Sequence, residues 1–411
     1  MSAAMKQFPD SPAPAASAGS PGGSHDEVPK TSSGSAEAPA PSERAAAPSR
    51  SRTWPPISVI MPVLNEERHL REAVRQVLNQ AYDGPIEVVL AVGPSRDRTQ
   101  EVADALAAED PRVTVVPNPT GRTPNALNAA IAASRHQIVA RVDGHAMLPA
   151  DYLKVAVETL EETGADNVGG IMAAEGRTPF ECAVARAMTS KLGVGGARFH
   201  TGGEAGPADT VYLGVFRRSA LDRVGGYDEH FLRAQDWEMN HRIRATGGLV
   251  WFQPRMRVSY RPRSTVRALA KQYFHYGRWR RVVAHTHQGT INMRYLAPPL
   301  AVLAMLAGVL ISPFFWPGLL IPGAYAVGIL AGSLVTGRGL APAALVRLPI
   351  AYATMHISWG WGFLTSPRRL RKPAPAAGTG SEKPGKPGFS AIGLDEWGAP
   401  ADRAGSDGSA R

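Results

Sequence analysis

The sequence predicts an α/β domain over residues 54–294, a mixed, mostly parallel sheet with helices on both faces, followed by a membrane region. Three observations predict it. Short β-branched runs alternate with helix-like segments between Ile57 and Val142. A long apolar stretch with few charges occupies residues 295–366. Segments almost free of large apolar side chains close both ends. A strand–helix–strand alternation favours parallel strands joined by crossovers, and ligands then sit beyond the carboxyl ends of the strands.

The elements follow in order. Residues 57–61 read as a strand, then 66–80 as a helix with Asn65 suited to its N-cap. Residues 86–92, 113–116 and 138–142 are further strands, separated by helices over 99–108 and 124–134. A later helix covers 237–245. Within the apolar region, 296–312 and 314–335 are each long enough to cross a bilayer, with Pro313 and Pro317 bracketing a turn. Residues 343–364 carry Arg347 and His356, so the segment is either a third span or an interfacial helix with Trp359 and Trp361 near the headgroups. The membrane region thus holds two or three hydrophobic helices. Residues 1–53 and 367–411 are too poor in apolar side chains to offset the entropy of ordering and are expected to be disordered.

Charge and cysteine usage narrow the function classes. The net charge of +10 admits nucleic acid, an anionic membrane surface or phosphorylated substrates. Its basic excess lies largely at 261–294 and 368–372, immediately beside the apolar region, which favours membrane and phosphate over nucleic acid. Both basic flanks read as cytoplasmic, giving a multi-pass cell-membrane protein with a cytoplasmic catalytic domain. The single cysteine, Cys182, excludes an intramolecular disulfide framework and a cysteine-rich metal cluster.

Four motifs carry chemistry. Pro62-Val63-Leu64-Asn65-Glu66-Glu67 puts two carboxylates at the end of the first strand. Arg141-Val142-Asp143-Gly144-His145 ends an apolar strand in an acid and an imidazole that can face one cation, and Mg2+ or Mn2+ bridging a diphosphate suits so sparse a set. Asp143 and His145 serve equally well in a plain turn. Asp236, in Gln235-Asp236-Trp237-Glu238, is either a helix N-cap or the general base that takes a proton from an attacking hydroxyl, with Glu238 a supporting or acceptor-contacting acid. The stretch from Gln272 through Arg278 and Trp279 to Arg281 suits interfacial anchoring, and equally an Arg clamp on a diphosphate with Trp stacked on a sugar ring.

In this order and spacing the four elements resemble the family-2 glycosyltransferases of the GT-A (nucleotide-diphospho-sugar transferase) fold, from Ile57 through Tyr295. Asp143-Gly-His145, the run from Asp209 to Arg218, Gln235-Asp236-Trp237-Glu238 and the run from Gln272 to Trp279 look like the bacterial succinoglycan-type chain-extending enzymes. The resemblance implies that Asp143 is the metal-binding acid, with His145 as second member of that pair, and that Asp236 is the catalytic base. It implies that Pro62, Asn65, Glu66 and Asp97 line a nucleotide pocket, with Arg122, Asn125, Asn128 and Arg141 as candidates to complete it. Gln272, Arg278 and Trp279 are similar to the Gln-x-x-Arg-Trp motif of processive synthases, although five residues separate Gln272 from Arg278. Val92, Gly93 and Pro94 stand where family members carry acids that read the base, so uridine is not implied.

The expected activity is inverting transfer from a nucleotide-sugar donor to a lipid-linked or saccharide acceptor in cell-surface or exopolysaccharide synthesis. The alternatives are a polyprenyl-phosphate glycosyl synthase, whose acceptor is already ionised, and a non-catalytic membrane-associated nucleotide-sugar binder. A nucleic-acid partner is not expected.

Overall fold

The computed structural model describes residues 53–371, and the expectations for residues 1–52 and 372–411 lie outside them. Eight strands form one mixed sheet: β1 (Ile57–Val63), β2 (Ile86–Val92), β3 (Val113–Pro117), β4 (Ile138–Arg141), β5 (Asn167–Ala174), β6 (Gly206–Pro207), β7 (Tyr212–Arg217) and β8 (Val250–Tyr260). Their spatial order is β3-β2-β1-β4-β7-β5-β8-β6. The first four are mutually parallel, as the alternating sequence predicts. β7 then enters antiparallel between β4 and β5, which makes the sheet mixed.

The pleat sorts side chains to two faces. From β1, Ile57, Val59, Met61 and Val63 join one apolar layer with Leu70, Val74 and Val77 of the helix Leu70–Leu78. Ile60 points the other way, into the layer with Leu127 of the helix Thr123–Ala133 and with Met239 and Ile243 of the helix Gln235–Ala245. Helices therefore cover both faces. β5 and β8 approach so closely that a Cβ on Gly170 would lie 1.7 Å from the Met256 carbonyl oxygen, at a register shift in their ladder.

Strand positions agree closely with the sequence reading, whereas two helix starts differ. The first helix begins at Leu70, not at residue 66. Asn65 is not its N-cap but sits in the left-handed region at φ 57°, where a short polar side chain can satisfy its own backbone neighbours. The later helix begins at Gln235, after Ala234 at φ 60°, so Asp236 lies inside the first turn and is not the N-cap.

The apolar region contains two helical segments long and apolar enough to cross a membrane, Met293–Ile311 and Trp316–Thr336, each of mean hydropathy 1.8. Their side chains face outward, with Leu310 73%, Trp316 72% and Leu334 67% exposed. Leu348–Leu364 behaves differently. It lies along the helix Val266–Thr286 with backbones nearly touching: a Cβ on Gly277 would lie 2.0 Å from the Trp359 carbonyl oxygen, and one on Gly362 equally close to that of Phe274. Leu348, Tyr352 and Met355 share an apolar cluster with Met172 at the sheet and Leu269 and Tyr273 of the long helix.

Candidate active site

The carboxyl ends of β1, β2 and β4 converge, and the loops leaving them are stitched by side chains. Asn65 receives no bond from its own helix. Its N–H donates to the Ser95 hydroxyl at 3.0 Å, and its Oδ1 accepts from Arg96 N–H at 2.8 Å. Glu66 N–H donates to the Thr99 hydroxyl at 2.7 Å, and Glu67 N–H to Asp97 Oδ2 at 3.2 Å. Asp97 also accepts from Thr99 N–H at 3.1 Å. Partial burial pushes the Asp97 carboxyl up, but these bonds outweigh it and hold the group below the usual carboxylate range. Asn65 and Asp97 thus shape the loop edge, and Pro62, in register with Ala91, forms the end of the strand beneath it.

The centre of the site is Arg141, the last residue of β4 and almost fully buried. Its Nε and Nη2 donate to Asp143 Oδ1 at 3.1 and 3.0 Å, and its Nη1 donates to Asp236 Oδ1. One guanidinium therefore joins the acid after β4 to the acid on the distant helix, and both carboxylates remain partly exposed. Burial pulls the Arg141 cation down, yet Asp143 and Asp236 together hold it well above its ordinary value. Asp236 is pushed up, first by burial and further by the Asp143 charge, with Arg141 opposing. A carboxyl raised toward neutrality is suited to general-base work.

His145 stands beside Asp143 on the same loop. Its Nδ1 lies 2.7 Å from Glu66 Oε1, and the hydrogen bond raises the imidazole pKa against the opposing effect of burial. Gly144 makes this approach possible, since a Cβ there would meet Glu66 Cγ at 3.2 Å. In the neutral ring, Nδ1–H donates to the carboxylate and Nε2 keeps the lone pair, the arrangement that orients metal-ligating histidines. No group of three acidic, histidine or cysteine side chains converges on a metal position among the described residues. Asp143 and His145 Nε2 therefore fit a hard divalent cation only as a partial shell that substrate oxygens complete.

The helix Thr123–Ala133 holds the loop before Asp236. Asn128 Nδ2 donates to the Tyr227 carbonyl at 2.8 Å, and its Oδ1 accepts from Tyr227 N–H at 2.8 Å. Asn125 and Asn128 both donate to Glu229. Arg122 precedes this helix, its N–H donating to the Thr120 hydroxyl at 3.2 Å. The two asparagines expected at a donor pocket are engaged in positioning the loop that leads to Asp236.

The acceptor-side expectations change more. Glu238 is buried and bonded to Arg242 at 2.7 Å and His287 at 3.0 Å, so it braces the helix Gln235–Ala245 and cannot face an acceptor. Trp279 is buried among Phe231, Val282 and Val283 and has no open face for a sugar. Gln272 donates to the hydroxyls of Tyr260 and Tyr276 at 2.9 and 2.8 Å. Arg278 lies over the Phe274 ring at 4.5 Å, on the side of the long helix that meets Leu348–Leu364. The arginine that turns toward the base helix is Arg280, whose Cζ lies 4.0 Å from the centre of the Trp237 ring. Two positions along a helix are about 200° around it, so the run of arginines cannot be assigned without the helix phase. Trp237, Arg280 and Glu229 are the residues the sequence reading missed; only the adjacency of Trp237 to Asp236 hinted at them.

Comparison with known proteins gives the family. The family model described as glycosyl transferase family 2 matches residues 58–225, which include Arg141 and Asp143. The succinoglycan biosynthesis protein ExoA of Rhizobium meliloti (strain 1021) is 32% identical over 307 residues, covering 74% of this chain and 93% of that protein. A dolichyl N-acetyl-alpha-D-glucosaminyl phosphate 3-beta-D-2,3-diacetamido-2,3-dideoxy-beta-D-glucuronosyltransferase of Methanococcus voltae is 26% identical over 316 residues, 75% of this chain and 95% of that one. Among solved structures, the mannosyltransferase PcManGT from Pyrobaculum calidifontis, in complex with GDP-Man and Mn2+, aligns with TM-score 0.45 and 21% identity over 74% of this chain and 90% of that chain. The chain belongs to glycosyl transferase family 2 and is a glycosyltransferase.

Proposed function

We propose that this enzyme transfers a sugar from a nucleotide-diphospho-sugar to a hydroxyl of a lipid-linked saccharide, with inversion, at the cytoplasmic face of a membrane. The observation that supports the reading is the Arg141 bridge, which joins Asp143 and Asp236 through one guanidinium. Asp236 accepts the proton of the acceptor hydroxyl as that oxygen bonds to the anomeric carbon. The bond from that carbon to the diphosphate breaks, and the nucleoside diphosphate leaves from the opposite face. A single displacement of this kind inverts the anomeric centre. A divalent cation, Mg2+ or Mn2+, held by Asp143 and His145, would supply positive charge to the leaving diphosphate. Arg141 holds both carboxylates in place, and Glu66 keeps the His145 ring oriented.

The two outward-facing apolar segments support membrane attachment, and the basic flanks support a cytoplasmic catalytic domain. The ExoA and Methanococcus relatives support a saccharide acceptor in glycan assembly. A thermal-shift panel of nucleotide sugars with and without Mn2+ tests the donor half. Stabilisation by one nucleotide sugar, dependent on Mn2+ and lost in Asp143→Ala, is the expected result. Donor binding that ignores both the cation and Asp143 would remove the diphosphate–cation assignment.

A further inference from the structure

A basic cavity lies against the C-terminal end of the helix that carries Asp236. It is a cavity of about 410 Å3 lined by Arg198, Arg244, Arg294, Asp209, Thr210 and Phe199, among others. Asp209 is the one acid in its wall, 3.6 Å from Arg244, so three arginines face a single carboxylate. Arg280 stands behind this wall, only 5% exposed, with its Cζ 4.0 Å from the Trp237 ring centre and 3.8 Å from that of Tyr295. It donates to the Thr290 carbonyl, while its Nε and Nη1 have no hydrogen-bond partner among the described residues. The Nε atoms of Arg244 and Arg294 are likewise without one. Arg280 is buried and short of acceptors, and Arg244 and Arg294 are half-buried with their Nε atoms unsatisfied, so an anion with several oxygens is a ligand that fits them. Burial, with the nearby Arg294 charge, pulls Arg280 down to about 10, the direction an incoming anion would reverse.

The location narrows the anion. Arg294 and Tyr295 belong to the first turn of Met293–Ile311, the apolar helix whose Leu300, Leu303, Leu306 and Leu310 are exposed. A ligand in the cavity therefore sits where the chain enters lipid. Arg280, behind the wall, packs on Trp237, the residue after Asp236. We propose that this cavity binds the phosphate or diphosphate headgroup of the lipid that carries the acceptor saccharide, holding the attached sugar toward Asp236. This deepens the lipid-linked-acceptor reading above and rests on it.

The test uses the full-length, detergent-solubilised enzyme in EDTA, which strips cations from the donor site. Farnesyl diphosphate is titrated while tryptophan fluorescence is followed, with inorganic pyrophosphate and phosphatidylglycerol vesicles as parallel arms. The expected result is saturable binding of farnesyl diphosphate, weakened at least tenfold in Arg244→Gln and in Arg294→Gln. Arg198→Gln, at an exposed position, is expected to fold as the wild type does and to weaken binding several-fold. In turnover assays these variants raise the KM for a lipid-linked acceptor more than that for the donor. Equal affinity in wild type and all three variants overturns the proposal. Pyrophosphate binding as tightly as the lipid overturns the carrier assignment in favour of free phosphate, and equal competition by the vesicles reduces the site to general membrane attachment. Loss of Mn2+-dependent donor binding in the wild type would instead sink the transferase mechanism, so the two failures are separable.

Discussion

Replacing Asp236 with asparagine isolates the proton-transfer step from the architecture around it. Arg141 Nη1 donates to Asp236 Oδ1, and an asparagine Oδ1 accepts the same bond, while Asp143 remains as counter-ion to the buried guanidinium. The cleft should therefore keep its shape, and only the capacity to take up a proton disappears. General-base catalysis contributes roughly 10²–10⁴-fold, or about 2.7–5.5 kcal/mol of barrier at 1.36 kcal/mol per decade. Turnover of Asp236→Asn is expected to fall within that range, with donor KM nearly unchanged, read as nucleoside diphosphate release by the solubilised enzyme. The wild-type pH profile adds a second reading. Burial raises the Asp236 pKa, so kcat/KM should rise with pH through a value above the ordinary carboxylate range, and this limb should vanish in the variant. Stability carries the same sign. A raised folded pKa gives a contribution that is full below the unfolded pKa and lost as pH rises through the folded one, so the variant should lose less stability over that window. Turnover within threefold of wild type, with the acid limb intact, would refute the base assignment and favour an acceptor that is already ionised.

Three further substitutions probe the parts around this step. Arg141→Gln leaves Asp143 and Asp236 facing each other without a shared cation; turnover should drop more than tenfold and the acid limb of the pH profile should move to higher pH. Glu87, buried, accepts from the Ser58 hydroxyl at 2.6 Å and from Arg135 N–H and Nε at 2.7 Å, and Glu87→Gln should cost about 1.5–3 kcal/mol at pH 7. Despite burial those bonds lower the Glu87 pKa, so its stabilisation is present above the unfolded pKa and lost as pH falls through the folded one; thermal melts at pH 7 and 4 should converge for wild type and variant. Gly277→Val, whose Cβ would strike the Trp359 carbonyl, should separate the two packed helices at a cost of about 1–3 kcal/mol or more, seen as a lower melting temperature in detergent.

Strand positions were legible in the sequence because buried parallel strands read as continuous β-branched runs, and 86–92 and 138–141 appear where those runs lie. Asp143 and Asp236 were legible as acids at the ends of elements, and the structure places them on one guanidinium. What the sequence hid was mostly a matter of phase and partner. Glu238 and Trp279 carry chemistry-bearing side chains, but helix rotation turns both inward, onto Arg242 and Phe231 respectively. Asn65 looked like a cap because its residue type suits one, yet a left-handed turn used it to tie two loops together. Asn125 and Asn128 find their partner Glu229 about a hundred positions away, a pairing that no local pattern records.

The bond from His287 to Glu238, with Arg280 lodged between Trp237 and Tyr295, has a geometric consequence. Asp236 and the start of the apolar helix Met293–Ile311 are thereby linked through three packed side chains, so a displacement of that helix would be carried to the Asp236 carboxylate.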